Sequence, residues 1–193
     1  ARNRRLLAEP IVLRPAAGPA TAAPRRLMAV RRVLRLPERV LKVRAAEVGK
    51  VDDACRALAA DLVDTMRASP ACVGLAAPQI GVALRAFAID VSGHRKARSC
   101  HGEVVLFDPE ILVASDPVHG REGCMSVPDL TGDVARATVV VVRGVTVDGG
   151  ERVLRTDAFE ARAVQHEVDH LDGLLFLDRV GSADAVFRRR VYR

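Results

Sequence analysis

Apolar positions recur every three to four residues over 50–68, "KVDDACRALAADLVDTMRA", where Val51, Ala54, Cys55, Leu58, Leu62 and Met66 share one stripe. This spacing predicts an amphipathic helix with that stripe buried. Further along, the apolar runs are short and β-rich: "AFAIDV" (86–91), "EVVLF" (103–107), "EILVAS" (110–115), "TVVVV" (138–142) and "GVTV" (144–147), bounded by Gly, Pro and Asp. "VTVDGGERVL" predicts a hairpin turning at Asp148, Gly149 and Gly150. A second helix is expected after Asp157, which suits an N-cap. Glu160 stands three residues on to complete a capping box, and Gly173 suits the C-terminal stop. A helix, several antiparallel strands and a second helix predict an α+β fold, with antiparallel sheets packed around the second helix.

The second helix carries the first candidate chemistry. "QHEVDHLDG" (165–173) contains His-Glu-x-x-His, so His166 and His170 project from one helix face about a turn apart and suit a shared metal ion. Glu167 lies beside the first ligand, within reach of a water held at that metal. The alternative is a solvated polar helix end. A catalytic site of this kind needs a third protein ligand and an open position. After His170 there is no His or Glu, only Asp172, Asp178 and Asp184. A peptidase of the downstream-ligand type is therefore disfavoured, and the third ligand must lie upstream. In "REGCMSVPDL" (121–130), Cys124 follows Gly123 in what reads as a tight polar turn, and it would complete a Cys-His-His site. Glu122 reads as structural, paired with an Arg to hold the turn. In "ACVGLAAPQIGVA" (71–83), Gly74 permits close backbone approach to a ligand. Gln79 offers an amide donor there, with a buried amide that satisfies loop carbonyls as the alternative.

Composition and charge bound the remainder. A chain of 193 residues is long enough for one domain with a proper core and too short for two by default. Pro10, Pro15, Pro19 and Pro24 mark residues 1–27 as a flexible basic Pro/Ala-rich tail, and Met28 suits the start of a compact protein. This leaves 28–193 as a single catalytic domain. The net charge of +6 is unevenly placed. Residues 1–48 hold twelve basic and three acidic residues, and residues 49–193 hold eighteen basic and twenty-one acidic. A mildly acidic body, in a chain with only three lysines, argues against specific nucleic-acid binding. No apolar run approaches the roughly 20 residues that span a bilayer, so no membrane partner is expected. Four cysteines without a CxxC pair point to a reducing compartment. Cys55 belongs to the helical stripe as a small buried hydrophobe. The loop with His94, Cys100 and His101 lacks the spacing of a second metal site.

"GLAAPQIG", "EGCMS" and "QHEVDH", in that order, closely resemble the three signature motifs of the peptide deformylase family, and the resemblance extends from about Val30 toward the C terminus. It implies that Cys124, His166 and His170 are the metal ligands and that Glu167 is the catalytic acid/base. Gln79 and the backbone N–H of Met125 would stabilise the oxyanion, and Gly74 would line the peptide-binding edge. The implied reaction removes the N-formyl group from the initiator methionine of nascent chains and releases formate. The implied cofactor is one divalent ion, Fe(II) first, with Zn(II), Ni(II) or Co(II) as replacements. Helical phase puts Phe159 and Ala163 on the face of His166, so that with Val73 they would form the methionine pocket. Arg162 is left between a contact at the peptide rim and a surface ion pair. Two residues depart from the family pattern: Cys72 stands where its first motif usually has Gly, and Asp129 follows Pro128 where many members have Gly.

N-formyl-methionyl nascent peptides are the expected partners, with transient ribosome association through the basic tail as a subsidiary expectation. The expected location is the bacterial cytoplasm, or an organelle if residues 1–27 act as a transit segment. A zincin-type endopeptidase and a non-enzymatic ribosome- or RNA-associated protein are the competing readings.

Overall fold

The computed structural model describes residues 30–189. The expected tail at 1–27 and Met28 lie outside the described residues. Helix α1 (Asp53–Ala68) begins where the carboxylate of Asp52 accepts the Cys55 N–H, satisfying one of the free donors of the first turn. It buries Cys55, Leu58, Leu62 and Met66 of the expected stripe. Ala54, placed in that stripe by its spacing, is exposed instead because it lies in the solvent-facing first turn.

Eight strands follow: β1 (Gly74–Ala76), β2 (Ala86–Ile89), β3 (Val104–Ala114), β4 (Pro117–Cys124), β5 (Val127–Ala137), β6 (Val139–Val145), β7 (Glu151–Asp157) and β8 (Val186–Arg188). They form a five-stranded antiparallel sheet in the order β1-β2-β3-β6-β7 and a three-stranded sheet in the order β4-β5-β8. Helix α2 (Ala158–Leu171) contacts β1, β2, β6 and β7 of the first sheet and β5 of the second. Period-two alternation sorts the core. Phe87 and Ile89 face Val164, Val168 and Leu171 of α2, while Ala86 and Ala88 face Leu58, Leu62 and Met66 of α1. The large sheet is therefore covered by one helix on each face, and α2 is held between the sheets.

The expected capping box on α2 does not form. Asp157 occupies the N-cap without a side-chain cap bond, and its carboxylate accepts the Ser99 N–H at 2.9 Å. Glu160 is drawn to the same loop, where it accepts the Ser99 hydroxyl, the His101 N–H and His101 Nδ1. Tertiary partners thus displace the local motif. Gly173 ends the helix as expected, with φ +72°. No helix among the described residues is long and apolar enough to cross a membrane.

Candidate active site

Four elements converge on one cavity. Cys124 is the last residue of β4 and pairs with Val127 across the turn into β5, so the expected turn is the end of a strand pair. From α2, His170 Nε2 lies 3.2 Å from Cys124 Sγ, and the ligating atoms of Cys124, His166 and His170 all lie within 4.8 Å of one another. Two imidazoles and a thiolate around a single ion at metal–ligand distances of about 2.1 and 2.3 Å would stand roughly 3.5 Å apart, so the donor set fits a divalent cation. The tautomer of His166 agrees. Its Nδ1 donates to Glu122 Oε2 at 3.0 Å, which leaves Nε2 as the ligating atom. His170 Nδ1 is buried with no hydrogen-bond partner among the described residues.

Glu122 is the electrostatic anchor. Its carboxylate also accepts Nε and Nη2 of Arg136 and Nη1 of Arg162. Burial opposes its ionisation, but His166 and Arg136 overcome that and bring its pKa down to about 2. The network continues behind the helix, where Asp169 accepts from Arg136 and Arg179. Burial likewise opposes ionisation of Cys124, yet the His170 and His166 rings hold the thiol well below its ordinary pKa.

Glu167 has the opposite surroundings. It is buried, its Oε2 has no hydrogen-bond partner among the described residues, and burial raises its carboxyl to about 7 against the pull of the two histidines. Gly74 is small on account of this side chain: a Cβ there would collide with Glu167 Oε1 and stand 2.9 Å from its Cδ. Its glycine thus makes room for the glutamate as well as forming the edge of the sheet. Gln79 is fixed end to end. Its Oε1 accepts the Ala76 N–H at 2.9 Å, and its Nε2 points into the site, toward Ser126 Oγ at 3.2 Å and Cys124 Sγ at 3.5 Å.

The cavity of about 380 Å³ is lined by Val73, Gly74, Gln79, Met125, Phe159 and Ala163 with Cys124, His166 and Glu167, while His170 lies deeper. The structure therefore brings together every residue singled out from the motifs and the helix phase. Cys72 also reaches the cavity. Its Sγ donates to Gly74 O at 3.1 Å, and burial with the Glu167 charge pushes its thiol up to about 12. Its φ is not positive, so the backbone there does not require the glycine usual in the family.

Arg162 lines the rim of the cavity, one of the two places expected for it, but its guanidinium is turned to the protein. It is a half-buried clamp that donates to Glu122 and to the carbonyls of Val118 and Val134. Gly120 makes room for it, since a Cβ at Gly120 would sit 2.8 Å from Arg162 Nη2. The motifs did not reveal this clamp, the Arg136–Asp169 relay, or Arg189, whose Nη2 donates to Cys124 O at 3.2 Å. The loop expected to hold no second metal site is used for packing: the His94 ring stacks on Phe159 with centroids 3.6 Å apart.

A thiolate and two histidines beside a buried carboxylate that sits near neutrality make this an α+β metal-dependent hydrolase. Comparison with known proteins narrows the class. A family model described as polypeptide deformylase matches residues 30–185. The chain is 40% identical over 164 residues to a peptide deformylase of Desulforudis audaxviator, covering 84% of this chain and 99% of that protein. It is 42% identical over 153 residues to peptide deformylase 1 of Bacillus subtilis, covering 79% and 91%. Among solved structures, a class I type b peptide deformylase of Acinetobacter baumannii bound to Met-Ala-Ser superposes with TM-score 0.71 at 35% identity, covering 80% of this chain and 100% of that one. The chain belongs to the peptide deformylase family.

Proposed function

We propose that this enzyme removes the N-formyl group from formyl-methionyl peptides, with residues 28–193 as a single catalytic domain and Cys124, His166 and His170 holding one divalent ion. The observation that carries the assignment is the Cys124 thiolate facing the two imidazoles, with Gln79 Nε2 aimed at the same point. Fe(II) is the proposed ion, because a soft thiolate with two imidazoles tolerates ferrous iron as well as Zn(II), Ni(II) or Co(II). When bound, it supplies Lewis-acid polarisation of the formyl carbonyl and acidity for the attacking water. Glu167 takes the proton of that water and passes it to the leaving amine, a transfer suited to a carboxyl lifted to about 7. Gln79 Nε2 and the Met125 N–H donate to the oxygen that gains charge. Glu122 holds the His166 tautomer through Nδ1. Strand β1 is the edge of its sheet, so the peptide can extend it by backbone pairing along Val73 and Gly74, with methionine between Phe159 and Ala163. The Acinetobacter baumannii relative, seen with Met-Ala-Ser, supports a peptide beginning with methionine as the occupant. We place the enzyme in a bacterial cytoplasm, in transient contact with ribosomes.

The test uses anaerobically purified, Fe(II)- or Ni(II)-loaded protein with a formyl-Met-Ala-Ser peptide, following formate release and peptide mass together. The expected product is the intact peptide less its formyl group, and none forms with Cys124→Ala. Cleavage within the peptide, or no formate with either metal, would sink the assignment.

A further inference from the structure

We propose that this enzyme favours acidic side chains among the residues that follow formyl-methionine, recognised by a cationic shelf of Arg95, Lys96 and Arg98 with Arg121. The inference rests on the deformylase reading of the cavity.

The shelf lines a second groove of about 650 Å³ that adjoins the substrate cavity, and Lys96, Arg121, Phe159 and Arg162 line both. A peptide leaving the methionine pocket on that side must cross the shelf, because an extended chain advances about 3.3–3.6 Å per residue. The charge there is one-sided. Arg95, Lys96 and Arg98 are exposed, and among the described residues none has a carboxylate partner. Arg121 shares its charge with Asp133 and covers the Phe187 ring, while Arg136 and Arg162 are committed to Glu122. Asp157 is the one acidic residue lining the groove, and its Oδ1 already takes the Ser99 N–H. This excess of positive charge stands on a body, residues 49–193, that carries more acidic than basic residues.

The loop that presents the three cations is anchored to α2. His94 stacks on Phe159, which itself lines the methionine pocket, and Ser99 and His101 are tied to Glu160, a fully buried carboxylate. A buried charge used to hold a surface loop fixes Arg95, Lys96 and Arg98 relative to the pocket. Binding then needs little further ordering of that segment. An RNA backbone is the other polyanion such a shelf suits. The peptide is favoured because the groove is continuous with the substrate cavity, and because its rings offer little stacking surface: Phe159 is already covered by His94, which leaves the single imidazole of His119.

The experiment compares kcat/KM of the metal-loaded full chain for formyl-Met-Ala-Ser and for peptides in which the residues after methionine carry Asp or Lys. It is run at about 0.05 M and about 0.5 M salt. The variant is Arg95→Glu/Lys96→Glu/Arg98→Glu, and the ratio of acidic to basic peptide within each protein serves as the readout. Exposed ion pairs each contribute a small factor, so the expected preference for Asp over Lys is about tenfold at low salt. It should shrink at high salt and invert in the variant. A flat charge series in the unmodified enzyme, or a preference that survives in the variant, overturns the proposal. So does a flat series accompanied by loss of single-stranded RNA binding in the variant, which would assign the shelf to RNA. Failure to release formate from any peptide is a different result: it counts against the deformylase reading and removes this proposal with it.

Discussion

Two buried glutamates flank His166, and their surroundings differ in every respect that matters. Glu122 accepts from Arg136, Arg162 and His166, and its carboxyl is held at about 2. Glu167, next to His166 in sequence, has an oxygen with no partner among the described residues and is lifted to about 7. One side chain is thus a fixed charge that orients a ligand, and the other is a movable proton site. Burial raises the cost of charge at both positions. What separates them is the number of donors that the fold supplies.

This contrast can be broken from either side, and the largest effect is expected at Glu122. Its replacement by Ala leaves Arg136 and Arg162 without their shared carboxylate and frees His166 Nδ1. The expected outcome in chemical denaturation is a loss of about 3–5 kcal/mol. Metal affinity, followed by competition with a chromogenic chelator, should fall by about 10–100-fold. Gln79→Ala should leave the ion in place and lower kcat by about 10²–10³, because the lost donor serves charge that develops during reaction. Steady-state kinetics at matched metal content separate these two outcomes. Gly74→Ala sharpens the comparison more gently. The added Cβ must displace Glu167 or shift β1, at a cost of about 1–3 kcal/mol. Activity should then fall more than metal binding, measured on the same sample.

Much of this arrangement is legible in the sequence, for physical reasons that can be named. The stripe of α1 and the pair His166 and His170 follow from helical periodicity. Cys124 shows itself as a cysteine beside Gly123 and upstream of a histidine pair that lacks a downstream partner. The sheets are less legible. "EVVLF" and "EILVAS" read as two strands but form the single strand β3, bent at a bulge between Phe107 and Glu110 where Asp108 takes φ +46°. Strands β4 and β5 were not foreseen. Their outer faces are exposed and rich in Gly and charge, and they are held by the small core of Cys124, Val127, Val134, Leu175 and Phe176. The capping box failed because Ser99 and His101, some sixty residues away in sequence, offered Asp157 and Glu160 better partners. The Arg162 clamp was unreadable for the same reason: its partners come from β4 and β5, and the space it fills exists because residue 120 is Gly.

The division of labour between the two glutamates has one direct measurement: metal content and formate release determined side by side on Glu167→Ala loaded as the unmodified enzyme is. The expected result is one bound ion per chain with formate release reduced by at least about 10²-fold, the lower bound for loss of a general acid/base. A Glu167→Ala protein that retains its ion and still releases formate at the unmodified rate would contradict the account.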